Sequence, residues 1–323
     1  MISRSSLLLL AAILSAGCGK KESVPESETA TSGTFELVAD ETLKPVIDSL
    51  VTGFMTESPD AHVTVKYVSA AEAIRELLNK KARAIIIARG LDASERGIIT
   101  QDSISLPELT IAEDGIGCIV SKRNPLAAMR QSDLRKIIRG EIASWDAIEK
   151  PIVEPGAKLT GVITMTLPQY PSSTEYVLDS MYIGPFHPDP RAKYKDFGQR
   201  MRFGSSDSVI AYVSSHPDAI GFIGSAWKHW LDASGDTGIK VLPVIPADSS
   251  SRGVTEPIML HMAYVYEKLY PLVTPVSGFS FEAPNTVPRG MLSYAMTAHG
   301  QMVFKNFDVL PKTQIIRLVP RKE

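Results

Sequence analysis

Hydrophobic and polar positions alternate along the chain in stretches of two kinds. Residues 35–39 are a short apolar run. Leu43, Val46, Ile47, Leu50, Val51 and Phe54 then recur at the i, i+3, i+4, i+7 spacing of a helix with one buried face. Asp40 or Thr42 is placed to cap its start. Pro59-Asp60 interrupts the pattern, and residues 62–68 alternate as a strand. Ser69 and Glu72 stand in capping-box spacing before a second helix, which carries Ala73, Ile74, Leu77 and Leu78 on one face. Residues 82–88, ARAIIIA, form a nearly continuous apolar run suited to a central parallel strand. This β-α-β-α-β order predicts an open α/β sheet. Such sheets bind ligands beyond the C-terminal ends of their strands, here an edge holding residues 40–42, residues 69–71 and Arg89.

The middle of the chain repeats the alternation. Residues 116–121 read as a strand ended by Asn124-Pro125. Ser132 is placed to cap a helix bearing Leu134, Ile137 and Ile138, with Gly140 to terminate it. Residues 161–183 give a buried strand, a Pro-punctuated loop, and a helix opening on Ser172-Ser173-Thr174. Two readings of that opening stand side by side. Ser172 and Glu175 form an ordinary capping box. Equally, a helix start with unpaired N–H groups and hydroxyls can dock a small anion. Residues 187–202 are polar and basic, and the basic run 191–202 reads as a solvated face. A helix after Gly204-Ser205-Ser206 and a strand over residues 219–223 complete a second α/β unit. Beyond it, residues 239–245 and 257–265 are strand-like, residues 291–307 helical, and residues 314–319 strand-like.

Composition narrows the class. The 323 residues are 44% hydrophobic and 22% charged, ordinary for a globular chain with room for two domains. A net charge of −2 speaks against a nucleic-acid surface. At the N-terminus, Arg4, the apolar residues 7–14, the small residues 15–17 and Cys18 make a secretory signal. It resembles a bacterial lipoprotein signal in which Cys18 is lipidated, although Ser15 stands where that pattern prefers Leu. Residues 19–34 read as a flexible tether. Cys18 and Cys118 are the two cysteines; Cys118, in an apolar run, reads as a small buried hydrophobe rather than a disulfide partner. The six histidines lack metal-ligand spacing, there is no P-loop, and residues 278–282 miss the nucleophile elbow at the last position. Neither an enzyme nor a cofactor or metal is expected.

Several motifs, taken in order, resemble PstS-like phosphate-binding periplasmic proteins. They are Asp114-Gly115-Ile116, Asn124-Pro125 and the run from Arg139 to Trp145. Ser172-Ser173-Thr174 follows at the position of a Ser-Gly-Thr loop, then Gly204-Ser205-Ser206, Pro217 to Phe222 and Ala298 to Gln301. The resemblance implies a two-lobed periplasmic-binding-protein fold of α/β class with hinge crossover strands. Lobe one would hold residues 35–117 plus 225–323 and lobe two residues 118–224. It further implies capture of a small oxyanion, phosphate first, for an inner-membrane ABC permease, by an envelope protein held on the membrane through its lipid alone. The ligand-binding positions carried over are Thr42, Ser69, Arg89, Ser172, Ser173 and Thr174. The departures are specific: Pro168 replaces an anion-pairing Arg, Arg83 an Asp, Ala88 a Ser, and Ser173 the central Gly. They motivate an alternative, a diverged binding-protein fold without anion affinity serving as an envelope interaction or scaffold lipoprotein.

Overall fold

The computed structural model describes residues 28–101, 106–168, 171–184, 199–235, 237–247 and 254–313. Strand β1 (Gly33–Asp40) passes through a 3-10 turn (Glu41–Leu43) into α1 (Lys44–Glu57), followed by β2 (Ala61–Val68), α2 (Ala70–Leu78), β3 (Ile85–Ile87) and α3 (Ala93–Gln101). The long β4 (Leu109–Ser121) leads to β5 (Leu126–Arg130), α4 (Gln131–Ile138), a second 3-10 turn (Trp145–Ala147), β6 (Ile152–Val153), β7 (Thr164–Pro168) and α5 (Ser173–Tyr182). Then come β8 (Gln199–Phe203), α6 (Ser206–Ser215), β9 (Ala219–Gly224), α7 (Ser225–Ser234), β10 (Ile239–Leu242) and β11 (Val244–Ile245). The chain returns through α8 (Met262–Tyr266), β12 (Val273–Phe279), α9 (Val287–Tyr294), α10 (Ala298–Asn306) and β13 (Leu310–Pro311).

One sheet in the order β2-β1-β3-β12-β4-β9-β7-β8 carries both halves of the molecule. β1 lies parallel to β2 and β3, and β7 parallel to β8 and β9, so each half has its own βαβ core. β4 joins them. Its N-terminal part pairs with β12 and β13 and its C-terminal part with β9 and β10, all antiparallel. The apolar side chains divide the same way. Leu37, Ile47, Leu50, Phe54, Met291 and Phe304 pack together in the first half, while Trp145, Leu167, Leu178 and Phe222 pack in the second. Phe304, Ile47 and Leu50 are fully buried, and each such side chain contributes about 1.5–3 kcal/mol by leaving water. Cys118 is buried and free, its thiol pushed up to about 12 by burial.

Several expectations need correction. The apolar run 82–88 pairs as a strand over Ile85–Ile87 alone; Arg83 leaves it sideways to bond Glu282 and Glu28 at 3.0 and 2.8 Å. Glu28 is thereby held on the folded body and β1 begins at Gly33, so the tether expected over residues 19–34 ends by Glu28. Helix α4 starts at Gln131, and its N-cap is Arg130 without a side-chain bond, not Ser132. Residues 257–265 are not a strand, because His261 Nδ1 accepts from Ala263 N at 3.1 Å and opens α8. The single late helix is two. Thr297 caps the second, and Gly300 lies so close to the end of the first that an added Cβ would fall 2.1 Å from Tyr294 O. Residues 314–319 and Cys18 lie outside the described residues.

Candidate functional site

β1, β2 and β7 end at one edge, where the following turns and helices begin. Asp40 ends β1 and its Oδ1 accepts from Thr42 N at 3.1 Å and Thr42 Oγ1 at 2.9 Å, closing the turn that leads to α1. Ser69 caps α2 by accepting from Glu72 N at 3.3 Å, and Ser172 caps α5 by accepting from Glu175 N at 3.2 Å. Both serines therefore cap as read, while the carboxylates that would complete each box are turned elsewhere, Glu72 to Arg75 and Glu175 to Arg200 and Arg202. The same hydroxyls also bound a cavity of about 130 Å³, with Thr42, Ser69 and Glu72 on one side and Pro168, Ser172 and Gly204 on the other. Capping and cavity lining are thus not alternatives here.

The candidate binding residues are distributed unequally around this cavity. Thr42, Ser69 and Ser172 line it directly. Ser173 is 1% exposed and reaches it through Asp40, donating its Oγ–H to Asp40 Oδ2. Thr174 is buried in the first turn of α5 and is not a lining residue. Arg89 does not line the cavity either. Its guanidinium bonds Glu95 through two nitrogens at 2.7 and 2.8 Å and lies 4.4 Å from the Tyr176 ring centroid. The counter-charge expected of it is already spent inside the chain, in a forked pair of the kind that guanidinium and carboxylate favour.

Carboxylates dominate the electrostatics. Asp40, Glu41 and Glu72 line the cavity, and no Lys or Arg does so among the described residues. Asp40 Oδ2 also accepts from Ala88 N at 3.1 Å. Glu41 reaches across to the start of α6, where Oε1 accepts from Ser206 N at 2.7 Å and Oε2 from Ser206 Oγ at 2.9 Å. Burial pushes Glu41 up to about 7 despite those bonds. Asp114, which receives Ser225 N at the start of α7, is pushed up to about 6, again by burial. Asp40 and Glu41 stand on the ligand edge in the sequence reading but are not counted there among the binding positions. Their signal was two adjacent acids at the ligand edge, where an anion site calls for donors.

Glu175, a carboxylate in the first turn of α5, would repel an oxyanion if it faced the cleft. It is 1% exposed and turned into α5's own support, bonding Arg200 at 3.0 Å and Arg202 at 2.7 Å. The reading of residues 191–202 as a solvated face therefore fails at Arg200, whose side chain is 6% exposed and also meets Asp179 at 3.3 Å, while Arg202 keeps a solvent-facing side. Among the described residues no group of acids, histidines or cysteines has the arrangement of a metal site.

Comparison with known proteins places this geometry. The sequence profile of a PBP superfamily domain matches residues 24–297. Phosphate-binding protein PstS 2 of Streptococcus pneumoniae is 22% identical over 130 residues, 40% of this chain and 42% of that protein. Phosphate-binding protein PstS of Borreliella burgdorferi is 24% identical over 204 residues, 63% of this chain and 66% of that protein. The chain thus spans less than two thirds of the length of these curated relatives. Among solved structures, a Clostridium perfringens protein assigned as a phosphate ABC transporter substrate-binding protein, with phosphate bound, superposes with a TM-score of 0.66 at 17% identity. The match covers 86% of this chain and 99% of that one. An ABC-type phosphate transport receptor from Vibrio cholerae gives 0.61 at 17% identity, covering 86% and 100%. At such identities these structures establish the two-lobed α/β fold.

Proposed function

From the membership of this chain in the PBP superfamily, we propose that it is an extracytoplasmic solute-binding protein which takes a small oxyanion, phosphate first, between its lobes and hands it to a membrane ABC transporter. The observation that carries the reading is the convergence of Thr42, Ser69 and Ser172 from three separate chain segments on one polar cavity between two α/β halves. Hydroxyls and helix starts are the donors a tetrahedral anion needs, and they come from both sides of a cleft that a hinge through β4 can open. Lobe boundaries at residues 35–117 plus 225–323 and 118–224 belong to this proposal. So does attachment through Cys18, for which the Cys18→Ser protein should leave the membrane fraction; unchanged fractionation would refute the anchor. Binding rather than catalysis fits relatives named for phosphate binding.

A second reading is favoured by one observation: the cavity is lined by three carboxylates. It is a binding-protein fold without anion affinity, serving as an envelope interaction lipoprotein. Calorimetric titration of the chain with phosphate, sulfate and molybdate separates the two. Saturable heat with phosphate is expected. No heat, and no thermal stabilisation, at millimolar concentrations of all three would sink the transport reading.

A further inference from the structure

We infer that Asp40 and Glu41 form a tethered two-pronged latch, carboxylates of the chain itself that occupy the anion's donors and close the two lobes on each other. The inference rests on the reading of the cleft as the solute site. Its geometry is the following. Asp40 gathers donors from three places: Thr42 N and Oγ1 on its own turn, Ala88 N at the end of β3, and Ser173 Oγ at the start of α5 across the cleft. Backbone N–H groups and hydroxyls converging on a buried carboxylate are what a bound oxyanion would receive, and Asp40 is 1% exposed. Glu41, the next residue, does the same at a second helix start, taking both Ser206 N and Ser206 Oγ.

The two prongs are adjacent in sequence, yet their partners lie 133 and 165 residues away in the other half of the molecule. Local capping explains the Thr42 bonds alone; it leaves Ala88, Ser173 and Ser206 without a reason to face these acids. In a two-lobed binding protein, closure is normally stabilised by a ligand that touches both lobes. Here the chain makes such contacts unaided. An entering oxyanion must turn Asp40 off Ser173 before it can take that hydroxyl, so its apparent affinity is lowered by the fraction of molecules held latched. Asp40 is then a specificity-determining residue: it sets how strongly an anion must bind to compete.

The test is small-angle scattering of the full mature chain in chloride buffer and then with added inorganic phosphate. Its variants are Asp40→Ser with Glu41→Ala, and separately Ser173→Ala with Ser206→Ala, which removes the hydroxyl that each prong takes. Serine at position 40 keeps a cap for the turn but is too short to span the cleft. The second variant leaves that turn untouched, so a folding defect in one variant does not decide the outcome. The wild type is expected to be compact without phosphate, and both variants to show a larger radius of gyration that phosphate reduces. Phosphate should bind the Asp40 variant about tenfold more tightly than wild type, or better, by calorimetry. An open wild type, variants as compact as wild type, or weaker phosphate binding in the Asp40 variant would each overturn the latch. Variants that open while neither they nor the wild type bind any oxyanion would support the latch and refute the transport reading.

Discussion

Glu175→Ala is expected to destabilise the protein by about 3–5 kcal/mol, the cost of breaking a buried ion pair by removing one partner. The carboxylate is 1% exposed and accepts from Arg200 at 3.0 Å and from Arg202 through Nε at 3.1 Å and Nη2 at 2.7 Å. It also sits in the first turn of α5, where a negative charge complements the helix N-terminus. Without it Arg200 keeps Asp179 and the Ile138 carbonyl, two contacts that leave its charge less well balanced in a dry setting. Guanidinium denaturation of wild type and variant measures the difference. A loss below about 1 kcal/mol, the range of exposed pairs, would mean that water reaches this network. The change also reaches the cavity, because Ser172, which lines it, caps α5 and Ser173 begins that helix.

The second large effect is on pH dependence. Glu41 rises from an ordinary carboxylate value to about 7 because it is buried, beside Asp40 and Asp207, and the bonds from Ser206 offset only part of that cost. The folded chain then holds a proton that the unfolded chain gives up, so the unfolded state binds fewer protons between about pH 4.5 and 7. Stability from this group is complete below that window and is lost as pH rises through it. From the size of the shift the loss is on the order of 3 kcal/mol. Asp114 acts in the same direction, up to about 6. Glu41→Gln should therefore flatten the fall in stability between pH 5 and 8, and the difference between the two curves isolates Glu41. Parallel curves would show that Glu41 titrates as a solvated carboxylate.

Local features were legible in the sequence and distant pairings were not. The stripe of α1 and the caps Ser69 and Ser172 follow from spacing over four to eleven residues and stand as read. Strand β12 escaped because Pro275 interrupts it, and proline argues against a strand interior; yet it runs antiparallel between β3 and β4. Helix α3 has only Ile98 and Ile99 as large apolar residues and offers no stripe to read. At the site, Thr42, Ser69 and Ser172 could be named from helix starts at the end of strands. That Asp40 would meet Ser173, and that Glu175 would be neutralised by strand β8, depends on partners brought together only by the fold.

The most direct test of the cleft as an oxyanion site is a crystal structure of the chain grown with saturating phosphate. A tetrahedral anion is expected within hydrogen-bond distance of Thr42, Ser69 and Ser173, with the Asp40 side chain turned away from Ser173. Phosphate density elsewhere, with Asp40 still accepting from Ser173, would contradict it.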